Sequence, residues 1–174
     1  MKFKRKALGK TDYKKRLELV KNREFRLVVR KALKNLQAQI VEYNEKGDKV
    51  ILSASTRELV NKYNLGIPRS NLPSAYLLGL LIGKKSMKKG IKKVILDMGM
   101  YRNVKGTKIY GVLKGALDSG LTIPHSKEVL PSADRIAGKH IIDYNKDRKN
   151  TGYRINLNDL GKHLNEIKEK ILKS

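Results

Sequence analysis

The chain has 174 residues, 40% of them hydrophobic and none cysteine, enough for one domain with a real core and exclusive of disulfides and thiolate metal centres. Its 40 Lys and Arg against 16 Asp and Glu give a formal net charge of +24, an excess that a compact body sustains beside a polyanion. Nucleic acid is the first candidate and an acidic membrane the second, but the most apolar stretch, Tyr76 to Ile82, falls far short of the roughly 20 residues a bilayer span needs.

The charge is not spread evenly. Residues 1–34 carry 14 Lys and Arg against three acids, and residues 84–154 carry 17 against six. Residues 35–83 and 155–174 are each close to neutral, at five against four and four against three. The pattern suits a folded body that carries charge on selected surfaces and on a leading arm.

Residues 1–24 show no sustained apolar period. Cations are interleaved there with Phe3, Tyr13 and Leu17, which reads as an arm that orders on a partner, with one short helix over Asp12 to Val20. Met1-Lys2-Phe3-Lys4-Arg5-Lys6 has no apolar run behind it, so a secretory signal is not expected. Arg26 to Leu33 and Leu36 to Tyr43 read as two strands joined at Lys34-Asn35, and Lys49 to Ala54 as a third after the Gly47-Asp48 turn. Ser55-Thr56-Arg57-Glu58 has the spacing of a capping box and predicts a helix over Thr56 to Tyr63.

Pro73 suits the first turn of a helix running to about Lys88. Its body is apolar nearly all round and so predicts burial, with Gly79 and Gly83 leaving room for a second backbone. Lys93 to Asp97 predicts a buried strand ending in the Gly99 turn. Thr107 to Ser119 follows as a helix with its apolar positions at helical spacing, and Gly120 ends it. A loop-rich basic segment leads to Leu157, Leu160, Leu164, Ile167 and Ile171, a stripe that predicts a last helix over residues 157–172. The expected class is therefore α/β, a mixed sheet with N-terminal antiparallel strands packed with helices, plus a basic N-terminal extension and a C-terminal helix.

Few residues carry enzymatic chemistry. Gly79 to Ser86 is one residue short of a phosphate loop between its glycines, lies inside a predicted helix, and is rejected. His125, His140 and His163 do not pair at metal-ligand spacing. Asp97 at a strand end, with Asp118, Asp134 or Asp143, is the sharpest catalytic alternative, a magnesium nuclease, though no spacing supports it. A DNA-compacting or RNA-chaperone protein would carry the same charge. Lys105-Gly106-Thr107-Lys108 is the most informative short stretch, because a helix start with free amides, a capping Thr and two lysines can cradle a phosphate.

Five segments, taken in order, resemble the archaeal form of the large-subunit ribosomal protein family numbered eighteen, whose eukaryotic relative is numbered five. They are Gly9-Lys10-Thr11-Asp12-Tyr13 with Arg16-Leu17 and Arg26-Leu27-Val28-Val29-Arg30; Ala38-Gln39-Ile40-Val41; Asn71 to Leu80; Leu96-Asp97-Met98-Gly99 through Lys105-Gly106-Thr107-Lys108 to Leu121; and Ile123-Pro124-His125-Ser126 with Arg135-Ile136 and Gly138 to Ile141. The likeness covers about residues 9–144, and the last thirty residues match only as a basic linker and a helix. Lys stands at several positions where relatives often carry Arg, which suits phosphate contact better than bidentate base reading.

The resemblance implies a structural, non-enzymatic constituent of the large subunit, in the cytoplasm, that binds 5S rRNA and helps attach it to the large-subunit rRNA at the central protuberance. Its partners would be those RNAs and neighbouring large-subunit proteins, with no cofactor, metal, membrane or small-molecule substrate. It also implies an RNA-binding arm over residues 1–24, a 5S-binding α/β domain over 25–144, and a linker with an amphipathic helix over 145–174. Carried onto this chain, the RNA-binding residues are Lys4, Arg5, Lys6, Lys10, Thr11, Tyr13, Arg16, Arg23, Arg26, Arg30 and Lys31. Lys105, Thr107 and Lys108 join them on the cradle argument. Phosphate neutralisation is the expected role, with Tyr13 a stacking platform.

Overall fold

The computed structural model describes residues 3–145 and 159–173. Its centre is a four-stranded mixed sheet. Strands β1 (Arg26–Lys31) and β2 (Leu36–Glu42) form an antiparallel hairpin with Val28 opposite Gln39, closed by the Ala32 amide donating to the Asn35 carbonyl at 2.9 Å. The turn starts two residues before the expected Lys34-Asn35 join. Strand β3 (Lys49–Ser55) adds antiparallel to β2 with a register shift at Ile40/Val41, and β4 (Ile95–Asp97) lies parallel to β1. The spatial order is β3-β2-β1-β4. The predicted strand start at Lys93 survives as an isolated bridge to Thr122.

Strand alternation divides the sheet into two faces. Leu27, Val29, Leu36, Ala38, Ile40 and Ala54 are fully or almost fully buried and belong to the main core. Arg26, Val28, Arg30, Gln39, Val41 and Asp97 face the other way, toward an open cleft.

Two helices form the layer under the core face. Helix α4 (Leu72–Lys88) opens with Asn71 accepting from the Ser74 amide at 2.9 Å, and Pro73 occupies its first turn. It is buried from Leu72 through Gly83, as its all-round apolarity predicts. Helix α5 (Lys108–Asp118) lies directly on it. A Cβ on Gly79 would fall 2.1 Å from the Val112 carbonyl oxygen, and one on Gly115 would fall 2.1 Å from that of Tyr76. The two backbones therefore touch, and glycine alone fits at the crossing.

Helix α3 (Thr56–Tyr63) has the predicted bounds, but the capping box is only half formed. Ser55 accepts from the Arg57 amide at 3.1 Å, while Glu58 turns away to pair with Lys85 at 2.6 Å. Helix α8 (Leu160–Lys173) buries Leu160, Leu164, Ile167 and Ile171 and packs on α4. Each such side chain contributes about 1.5–3 kcal/mol of burial before chain entropy is set against it. The predicted start of α8 at residue 157 lies outside the described residues, as does most of the basic linker.

Three short elements replace the predicted loop: a 3-10 turn (Lys127–Val129), α6 (Ala133–Ile136) and α7 (Lys139–Asn145). Two more precede the sheet. Helix α1 (Lys4–Ala7) has no counterpart in the sequence-based expectation. Helix α2 (Tyr13–Val20) is the short helix expected in the arm, capped by Asp12 accepting from the amides of Lys14 and Lys15. Neither helix buries a residue. No helix among the described residues is long and apolar enough to cross a membrane.

Candidate nucleic-acid interface

The arm does not trail away from the body. It folds across the outer face of the sheet and walls a cleft of about 1150 Å³ whose other walls are the strands and the loop over residues 98–103. Its local fold is fixed by two contacts. Arg5 Nε donates to Thr11 Oγ1 at 2.9 Å across the Gly9 turn, and the rings of Phe3 and Tyr13 stack at 4.7 Å and 26°. Gly9 has φ +62, a left-handed backbone that glycine adopts at no steric cost.

The arm is tied to the sheet by charge. Arg16 Nη1 and Nη2 each donate at 2.8 Å to the carboxylate of Asp48, in the β2–β3 turn. Asp48 Oδ2 also lies 2.7 Å from Arg26 Nη2, and Arg26 Nη1 donates at 2.9 Å to Asp97 Oδ2. The other oxygen of Asp97 accepts from the Gly99 amide at 2.8 Å. Two guanidinium groups and two carboxylates thus neutralise one another along the cleft floor. Burial works to raise the Asp48 pKa, but the hydrogen bonds from Arg16 and Arg26 outweigh it and hold the carboxyl below its ordinary value. The Arg16 pKa is raised, chiefly by its bond to Asp48.

This arrangement corrects one site assignment. Arg26 is 2% exposed and faces two carboxylates, so it is a floor ion pair and not a surface contact for phosphate. Arg30, four residues along the same strand, is exposed instead. Among the described residues it has no acidic partner, only a long 3.4 Å bond to the neighbouring Val29 carbonyl. The pairing that separates the two arginines was hidden from the sequence, since Asp97 stands 71 residues from Arg26.

Of the fourteen predicted residues, the cleft gathers Arg5, Lys10, Thr11, Tyr13, Arg16, Arg26 and Arg30. Lys4 and Lys6 are exposed on α1, and Arg23 is exposed in a left-handed turn at φ +52, outside the cleft lining. Lys31 leans its ammonium over the Tyr101 ring at 4.8 Å, while the Tyr101 hydroxyl donates to the Lys31 carbonyl at 3.0 Å. Lysine and tyrosine together make a stacking edge beside the cleft.

Lys105, Thr107 and Lys108 lie outside the cleft lining, and Lys108 reaches toward the hairpin turn. Lys108 Nζ donates to Ser70 Oγ at 3.3 Å, and Ser70 donates to the Ala32 carbonyl. Thr107 is the N-cap residue of α5, but its side chain makes no capping bond. Lys105 pairs with Glu128 at 2.7 Å, both side chains exposed, so the cradle has one lysine committed elsewhere. Sequence reasoning missed Lys15, Arg102 and Gln39 in the cleft lining. Lys15 was legible as part of the arm's charge run; Arg102 and Gln39 carry no local signal and meet the site only through the fold.

The catalytic alternative does not assemble. Asp97 is committed to Arg26 and Gly99, Asp118 accepts from Tyr76 and Lys114, and Asp134 pairs with Lys139. Among the described residues no group of three His, Asp or Glu side chains could hold a metal ion.

What remains is a neutral floor with a mainly cationic rim: Arg5, Lys10, Lys15, Arg30 and Arg102 around floor carboxylates already spent on arginine, with Glu18 and the capping Asp12 on the arm wall. The fold is α/β, and the charge of its cleft rim is of the sign that a nucleic-acid backbone complements. The family model described as ribosomal large subunit proteins 60S L5 and 50S L18 matches residues 1–93 and 87–126, and the chain belongs to that family. It is a structural protein of the large ribosomal subunit, with rRNA and ribosomal proteins as its partners.

Proposed function

We propose that the chain binds 5S rRNA through the arm-walled cleft and helps attach it to the large-subunit rRNA, in the cytoplasm and with no catalytic role of its own. The observation that carries this reading is the division of charge in the cleft. Asp48 and Asp97 are neutralised by Arg16 and Arg26, so the floor carboxylates do not compete with RNA for the rim cations, and those five cations outnumber Asp12 and Glu18 on the arm wall. Structured RNA offers shape, phosphate and unstacked bases rather than a readable deep groove. Rim lysines and arginines would neutralise phosphates, and the Phe3–Tyr13 stack offers a ring to an unpaired base. Lys4, Lys6 and Arg23 on the outer arm, with Lys31 at the hairpin and Lys105, Thr107 and Lys108 at the start of α5, carry cationic surface past the cleft. They are available to a second RNA segment or to neighbouring proteins.

The test replaces Lys10, Arg30 and Arg102 together by Gln and measures 5S RNA affinity across a salt series. For each phosphate the variant no longer engages, the slope of log affinity against log salt should flatten by about 0.7–0.9. A variant with wild-type affinity and wild-type slope would place the interface elsewhere.

A further inference from the structure

The β3 edge of the sheet raises a problem that RNA binding does not explain. Among the described residues β3 pairs on one side only, and its seven residues make it a far longer edge than the three-residue β4. Its stretch Val50-Ile51-Leu52-Ser53-Ala54-Ser55 has no charge, no proline and no glycine. Six residues of that kind on an open edge form a template for another strand.

Two lysines from α4 and its cap reach this edge. Lys85 Nζ donates to the Ser53 carbonyl at 2.9 Å, and Lys89 Nζ donates to the Ile51 carbonyl at 3.2 Å. Ile51 and Ser53 are two apart, so their carbonyls point to the same side, away from β2. Lys85 and Lys89 are four apart and stand one above the other along the helix. The match of spacings, two along the strand and four along the helix, puts one ammonium on each outward carbonyl. Glu58 of α3 holds Lys85 in place at 2.6 Å.

We infer that Lys85 and Lys89 guard the sheet edge, keeping β3 of one molecule from pairing with β3 of a second copy. The acceptors an incoming strand would use are already occupied. A second copy would also bring its own Lys49, Lys85 and Lys89 against these, so like charges meet at the moment of approach. These two lysines face protein rather than RNA, although they belong to the basic block after residue 84. Ile51, Ser53, Lys85 and Lys89 lie outside the lining of the proposed RNA cleft, which β3 enters only at Val50, so neither proposal depends on the other.

The experiment compares Lys85→Met/Lys89→Met with Lys84→Met/Lys92→Met, which removes the same charge without touching the edge. Sedimentation velocity of the RNA-free protein, over a concentration series, reads self-association. The edge variant should associate at roughly tenfold lower concentration than the wild type or the control. Equal behaviour of the two variants would overturn the guard and leave only a general effect of charge. Lys89→Met alone keeps the Lys85–Glu58 pair and guards against the double variant failing to fold. In that background Ser53→Cys, exposed and the only cysteine in the chain, should form an intermolecular disulfide several-fold faster than Ser53→Cys alone. No difference in that rate would also count against the proposal.

Discussion

Arg26 and Arg30 sit on one strand, on one face, and do different work. Arg26 is buried between Asp48 and Asp97, and a buried guanidinium left without its carboxylate is far costlier than a well-packed apolar residue in its place. Asp97→Asn leaves Asp48 facing Arg26 and should destabilise the free protein by about 1–3 kcal/mol in urea titration, whereas Arg30→Gln should leave stability within about 0.5 kcal/mol and weaken RNA binding. Equal destabilisation by both would mean that the two arginines are not divided in this way. Asp48 adds a pH dependence. Its folded pKa lies below the ordinary 3.8, so the stability it contributes is present above that value and lost as pH falls through the folded pKa. The Arg16 side-chain NH signals in NMR should hold their paired shifts at neutral pH and lose them only below about pH 3.8. Loss near pH 6 would point to a histidine and away from Asp48. The residues RLVVR announced a strand with arginine on one face, but which arginine was buried depended on carboxylates brought in from a distant turn and a parallel strand.

At the level of elements, the helix crossing and the arm carry the most information. Gly79→Ala or Gly115→Ala drives a Cβ into a backbone carbonyl at 2.1 Å, and a backbone cannot step aside as a side chain can. Either change should cost upwards of about 2 kcal/mol and lower the thermal midpoint, while Gly161→Ala, with open space around it, should be neutral or mildly stabilising. Helix α4 was readable because apolarity on all sides and two glycines four apart leave few alternatives to a buried helix. Its partner face on α5, Gly111 and Gly115, was less so, since two glycines in a half-apolar helix also suit a weak helix. The arm shows the opposite case. Its short helix was legible from Asp12 onward, but its docking was not, because ion pairs, Arg16 to Asp48 and Glu24 to Lys93, do the tethering and no apolar period signals them. Both pairs are partly exposed, and α1 and α2 bury nothing, so removing residues 1–24 should cost the body only about 1 kcal/mol. A collapse of the thermal midpoint on truncation would make the arm part of the core.

Across the whole molecule, the net charge of +24 is managed rather than merely carried. Some cations are spent inside the fold, as Arg16 and Arg26 are on the cleft floor and Lys85 and Lys89 are on the sheet edge. Others line the cleft rim, where Arg5, Lys10, Lys15, Arg30 and Arg102 have no carboxylate of their own among the described residues. Composition made a polyanionic partner legible at once, and the spaced family segments made its class legible too. Composition could not sort the cations into these groups, because that sorting is done by contacts between residues far apart in sequence. The central claim is that this cationic cleft is shaped for one folded RNA and is not a general polyanion sponge. Its most direct test is competition for the full-length protein at physiological salt, with labelled 5S RNA displaced by unlabelled 5S RNA, transfer RNA or duplex DNA. Unlabelled 5S RNA should displace the label at concentrations well below either competitor; displacement by all three at the same concentration would contradict the claim.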